Sequence, residues 1–221
     1  MRLCIFVRLR GDAICFSPDG IARVDRVRRA NQSSWKAQEG FSLTYLPFIV
    51  RALCDVVRDY PHVNASVDGD SLVVHPTVNL GIAVDMDFNG LIVPVIKDAD
   101  TLSIHGLNLA ITDVANRARA NKLRLDDFGG GTFTVDNTGY LGTNLVMPIL
   151  NVPEVGIVTM EAITKRPVVV TTEDGDHIAI RPVMNMVLGV DHRANDGAGG
   201  AALLRDIKKW LESVGPDTPI Y

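Results

Sequence analysis

Apolar residues recur at helical spacing in several stretches of the chain and at strand-like density in others. Val24 to Gln38 predicts a helix that stops near Gly40. From Ser42 to Asp59 the apolar positions are Leu43, Leu46, Ile49, Val50, Leu53, Val56 and Val57, a stripe that faces a core, with Pro47 tolerated near the first turn. Ser103 to Asn121 repeats the pattern through Leu107, Ala110, Ile111, Val114, Ala115 and Ala118, and Ser103 is placed to cap it. Gly200 to Ser213 is the last predicted helix.

Shorter runs predict strands. Met1 to Phe16 alternates loosely, as an edge strand does, and Ser17 to Gly20 reads as a turn. Asp68-Gly69-Asp70 sits between short apolar runs and predicts a hairpin within Asn64–Asn79. Gly81 to Asp87 and Leu91 to Ile96 read as strands joined at Asn89-Gly90. Thr132 to Val135, Val155 to Met160, Pro167 to Thr171 and Ile178 to Val190 (one strand or two) follow. Gly129 to Gly131 breaks the chain before one of them, and Asn137 to Asn144 is a polar loop. Strands and helices do not alternate strictly, so the pattern predicts an α+β fold with a mixed sheet flanked by helices.

The chain has 221 residues, enough to bury a sizeable core. Its 22 basic and 26 acidic residues leave a formal charge of -4, which argues against nucleic acid held by a general basic field. Arg23, Arg26, Arg28 and Arg29 cluster as an exposed helix face would. Cys4, Cys15 and Cys54 lack metal-ligand spacing and fit a reducing cytoplasm. No apolar run is long enough to span a bilayer, and the start has no signal-peptide pattern. His62, His75, His105 and His177 show no metal spacing and read as surface or packing residues. The glycines at 129–131 lack the lysine and serine of a phosphate loop.

Candidate chemistry concentrates in Asp191-His-Arg-Ala-Asn-Asp-Gly197, directly after the apolar run Met184–Val190. A histidine at a strand end is a common way to fix a general base. The same motif resembles the active-site signature of the dihydrolipoyl acyltransferases of 2-oxo acid dehydrogenase complexes. Seven further segments resemble that family in the same order. They are Phe41–Phe48, His62–Ser66, Leu80–Val84, Gly90–Val95, Gly130–Thr134, Pro148-Ile149 with Asn151, and Lys165–Val168. The likeness runs from about Asp25 to Leu211. Residues 1–20 depart from the pattern and read as an atypical N-terminal segment, or a shortened start. Residues 21–221 then form one catalytic domain, with no lipoyl or subunit-binding domain.

The resemblance implies a chloramphenicol acetyltransferase-like fold and acyl transfer between a dihydrolipoyl thiol and coenzyme A. It implies His192 as the base and Asp196 as a structural carboxylate that ties down the motif loop through an ion pair. It also implies a homotrimer or larger core in which His192 faces the donor of the next subunit. The lipoyl group comes from another domain or chain, with no metal, and the decarboxylase and dihydrolipoamide dehydrogenase components are further partners. Lys97 is placed to meet a phosphate of coenzyme A, and Thr143 lies near the same channel. The tail Ile220-Tyr221 reads as an apolar hook or a frayed end.

One position departs from the family. Where relatives carry a serine or threonine that donates to the oxyanion, this chain has Asp136, and an ionised carboxylate has no proton to give. The routes left open are a protonated Asp136, an inward-turned Asn137 or Thr138, or backbone amides of Asn137–Gly142. Two other readings stand beside this one. The chain is then a non-catalytic trimeric scaffold, or an O-acetyltransferase like chloramphenicol acetyltransferase.

Overall fold

The computed structural model describes Cys4–Val7 and residues 20–221. Cys15 and the turn expected over Ser17–Asp19 lie outside the described residues. In chain order the elements are β1 (Cys4–Val7), α1 (Gly20–Glu39), α2 (Leu46–Val56), β2 (Ala65–Asp68), β3 (Ser71–Val74), β4 (Leu80–Ile82), β5 (Val84–Asp85), β6 (Leu91–Ile92), β7 (Val95–Ile96), α3 (Ile104–Arg119), β8 (Phe133–Asn137), β9 (Gly156–Met160), β10 (Thr164–Thr172), β11 (Gly175–Val183), β12 (Met186–Asp191) and α4 (Gly197–Ser213).

The principal sheet has the order β1-β12-β9-β8-β4-β7. β8 runs parallel to both β4 and β9, and the other neighbours are antiparallel, so the sheet is mixed as expected. β1 lies at its edge, against β12. β2–β3, β5–β6 and β10–β11 are separate two-stranded ribbons. Two expected strands are each broken in two. The run 81–87 divides into β4, which pairs with β7 and β8, and β5, which pairs with β6. The run 91–96 divides into β6 and β7 at Val93-Pro94, where Pro94 has no N–H to donate while its carbonyl accepts the Ile82 N–H at 2.9 Å.

Helix ends follow local chemistry. Ser103 Oγ accepts the Gly106 N–H at 3.2 Å and caps α3. Gly40, at φ +78°, ends α1 in the left-handed conformation that glycine adopts without a Cβ penalty. α4 starts at Gly197, three residues earlier than its apolar pattern suggests, because Asp196 caps it.

α4 packs on α1 and α2, and α2 on α3. One continuous core joins Phe48, Ile49 and Leu53 of α2 with Leu80, Phe133 and Leu188 of the sheet, all essentially inaccessible. Truncating Leu53 to alanine there removes about 2–5 kcal/mol of stability. The tail docks on its own chain. Ile220 is buried, and Tyr221 stacks on Trp35 with ring centroids 6.2 Å apart.

Candidate active site

His192 occupies the turn directly after β12 and is exposed. It makes no hydrogen bond to any described residue. Its loop is held from beneath. Asp191 is buried and pairs with Arg193, with Arg193 Nη2 to Oδ2 at 2.6 Å and Arg193 Nε to Oδ1 at 3.0 Å. The Asp191 carbonyl also receives the Ala194 and Asn195 amides.

Asp196 is placed differently from the expectation. Its Oδ1 accepts the Gly199 N–H at 2.7 Å and caps α4, and among the described residues it has no ion pair. The ion pair that ties the motif loop within this chain is Asp191–Arg193.

The oxyanion-side residues stand at the other end of the sheet. Asp136 pairs with Thr159, which pairs with Val187. His192 is therefore five residues further along β12 and two strands over. That is about 16 Å along the sheet and about 10 Å across it. Within one chain these groups do not share a site.

Glu161 organises the loop beyond Asp136. It is buried and accepts hydrogen bonds from Thr138 Oγ1 at 2.8 Å, Thr143 Oγ1 at 2.5 Å, Thr159 Oγ1 at 3.0 Å and the Val146 amide at 3.1 Å. A Cβ on Gly139 would lie 2.7 Å from the Glu161 carbonyl oxygen, so only glycine lets the loop approach this closely. The hydroxyl proton of Thr138 is thus spent on Glu161, as is that of Thr143. Neither is free to meet a substrate in this arrangement, which removes Thr138 from the two side chains favoured as donors.

Asn137 remains. Its Oδ1 accepts the Gly139 N–H at 3.1 Å, and its Nδ2 has no partner among the described residues. It lines a cleft of about 500 Å³ between this loop and α3. Beside it, Asp136 is half-buried. Burial first, and the charge of Glu161 second, push its carboxyl above the usual range, although the Asn137 amide opposes them.

A second cleft of about 750 Å³ lies nearer the histidine end, lined by Ser66, His75, Gly129–Gly131 and Glu154. Ser66 Oγ and His75 Nε2 are 2.6 Å apart. Lys97 does not stand free here. Its Nζ donates to the Gly129 carbonyl at 2.5 Å and braces the glycine turn. Glu154 is buried and, among the described residues, accepts from Thr134 Oγ1 at 2.6 Å and Asn151 Nδ2 at 3.0 Å. Burial pushes its carboxyl up to about 7.

Neither glutamate was singled out in the sequence. The available signal was an isolated acid at each edge of the apolar run Val155–Met160. Among the described residues, no cluster of three or more His, Cys, Asp or Glu is arranged to hold a metal ion. No described helix is long and apolar enough to cross a membrane.

The 2-oxoacid dehydrogenases acyltransferase family, in its catalytic domain, matches residues 20–217. The chain belongs to this family. It is 40% identical over 194 residues to the lipoamide acyltransferase component of the branched-chain alpha-keto acid dehydrogenase complex of Bacillus subtilis, covering 88% of this chain and 45% of that protein. It is 43% identical over 195 residues to the dihydrolipoyllysine-residue acetyltransferase component of the pyruvate dehydrogenase complex of Corynebacterium glutamicum, covering 87% of this chain and 29% of that protein. The chain thus spans less than half the length of these curated relatives.

Among solved structures, a probable dihydrolipoamide acetyltransferase from Listeria monocytogenes superposes with a TM-score of 0.84 at 36% identity, covering all of this chain and 88% of that one. A chloramphenicol acetyltransferase superposes at 0.56 and 15% identity over 95% of this chain and 88% of that one, which shows the shared fold.

Proposed function

We propose that this family member moves an acyl group between a dihydrolipoyl thiol and coenzyme A at a site shared by adjacent subunits. The sheet register carries the reading. His192 is exposed at one end, with no partner among the described residues, and the Asn137 loop is held at the other, so a neighbouring copy is what would bring them together. A homotrimer is the assembly proposed. The relatives belong to multienzyme complexes, and this chain's partners are by extension a lipoyl domain, the decarboxylase and dihydrolipoamide dehydrogenase.

In the proposed step His192 takes the proton of the attacking thiol. A free thiol titrates near 8.5, so an imidazole is a suitable base. The thiolate adds to the thioester carbonyl, and the second thiol leaves with the proton from His192. Asn137 Nδ2 donates to the oxyanion of the tetrahedral intermediate. Asp191–Arg193 and the Asp196 cap hold the histidine turn, while Glu161 holds the donor loop. An ionised Asp136 opposes the oxyanion, so the rate falls as that carboxyl loses its proton. The attacking substrate and the departing product are free thiols, and a reducing cytoplasm preserves them.

A transfer assay tests this reading. Acyl groups supplied on coenzyme A should appear on free dihydrolipoamide, in native chain and not in His192→Ala. Acyl transfer that survives the substitution intact overturns it. A folded assembly with no transfer to dihydrolipoamide assigns the chain to the scaffold reading instead.

A further inference from the structure

One hydroxyl–imidazole pair takes no part in the acyl-transfer reading. Ser66 lies on β2, and His75 is the first residue after β3. Both are half-buried, and Ser66 Oγ stands 2.6 Å from His75 Nε2. The β2–β3 hairpin brings them together. The backbone that carries the imidazole is clamped by Asn64: its carbonyl accepts the His75 N–H at 2.9 Å, and its Nδ2 donates to the carbonyls of His75 at 3.0 Å and Thr77 at 2.9 Å.

A hydroxyl and an imidazole at this separation are the parts of an activated nucleophile. With the ring proton on Nδ1, Nε2 is free to take the Ser66 proton as Oγ attacks a carbonyl carbon. Among the described residues, neither the Ser66 hydroxyl nor the His75 ring has another hydrogen-bond partner. The pair lines the cleft of about 750 Å³. Leu91, Ile92, Val93, Val95 and Phe128 give that cleft an apolar wall, suited to an aliphatic chain. Gly129, Gly130 and Gly131 line it too, and their backbone amides donate to no described residue. A Cβ on Gly131 would lie 2.6 Å from Glu154 Oε1, so this segment stays bare of side chains where it passes the glutamate. Amides without an acceptor are what a developing oxyanion requires.

We propose that Ser66 and His75 form a second, hydrolytic site that cleaves short-chain acyl thioesters, with Ser66 as nucleophile and His75 as base. Ser66 Oγ adds to the thioester carbonyl while His75 Nε2 takes the hydroxyl proton. The glycine amides receive the negative charge on the carbonyl oxygen. The C–S bond then breaks, and the thiol leaves with the proton from His75. Water adds to the acyl-serine ester as His75 takes its proton, the C–O bond to Ser66 breaks, and that proton returns to Oγ. Thioester and water become carboxylic acid and thiol, and no other co-reactant enters. The His192 turn and the Asn137 loop take no part, so the site stands beside the acyl-transfer reading and does not rest on it.

Thiol release in the absence of an acceptor thiol tests the proposal. The assembled chain carrying His192→Ala, which removes the proposed transfer base, is incubated with S-butyryl-N-acetylcysteamine. Thiol should appear faster than in buffer. Adding Ser66→Ala or His75→Gln should each slow the release by about tenfold or more, the scale of losing a nucleophile or its base. A serine-directed fluorophosphonate should label the native chain at Ser66, located by peptide mass spectrometry, and His75→Gln should slow that labelling by a similar factor.

Thiol release that ignores both substitutions overturns the proposal, as does release in the native chain that disappears with His192→Ala, which assigns it to the transfer site. Should a Ser66 or His75 variant fail to fold, the native chain still decides: a Ser66 left unlabelled by the fluorophosphonate overturns the assignment. Hydrolysis that depends on Ser66 and persists without His192 upholds this site whether or not the chain transfers acyl groups to dihydrolipoamide.

Discussion

β9 has a buried glutamate just beyond each end, and the two are solvated by the protein in opposite ways. Glu161 receives four hydrogen bonds, three from threonine hydroxyls and one from a backbone amide. Glu154 receives two, from Thr134 and Asn151, and burial pushes it up to about 7. Burial alone therefore does not decide what a carboxyl does; the number of donors aimed at it does. Glu161 uses its donors to fix the loop that presents Asn137. Glu154 sits near the histidine end as a group that titrates around neutral pH.

The largest expected effects separate these ends by chemistry. His192→Ala should lower kcat by about 10²–10⁴. Since the ring is exposed and has no partner among the described residues, stability should move by less than about 0.5 kcal/mol. A large stability loss would show the ring to be structural. At the other end, Asn137→Ala should lower kcat by about 10²–10³, the usual cost of one oxyanion donor. Thr138→Val tests the assignment against its neighbour. If that substitution slows the reaction more than Asn137→Ala does, the donor has been misplaced.

The glutamates themselves come next. Glu161→Gln keeps the shape but turns an NH₂ toward donors that need an acceptor, and should cost about 2–3 kcal/mol by chemical denaturation. Glu154→Gln should do the opposite, in a pH-dependent way. A carboxyl raised in the folded state costs stability as pH climbs from its unfolded value near 4.5 to about 7. The glutamine variant should match native near pH 4 and gain about 1–3 kcal/mol by pH 8. A pH-independent difference would contradict that account. The smallest effect is at Asp136. Burial and the charge of Glu161 raise its carboxyl, so the rate should fall as that group loses its proton with rising pH. Asp136→Asn should remove that fall, and a fall that persists in the variant would contradict the account.

Local features of the fold are legible in the sequence. The apolar stripes of α2 and α3 and the Ser103 cap are local features, and the structure has them. The run 81–87 reads as one strand in sequence and divides in the fold because its two halves pair with different partners, a non-local cause. Asp196 illustrates the same limit. A carboxylate before Gly197 satisfies either a helix start or an ion pair, and only the path of α4 decides. Glu161 carries no sequence signal of its role, which exists only when Thr138, Thr143, Val146 and Thr159 converge on it.

Complementation in mixed assemblies tests the shared site most directly. His192→Ala and Asn137→Ala chains, each nearly inactive alone, are unfolded together, refolded and assayed. A site built from the histidine of one subunit and the asparagine of the next should recover roughly a quarter of native activity in a random trimer mixture. No recovery in a mixture verified by mass to contain both chains in one trimer would contradict the account.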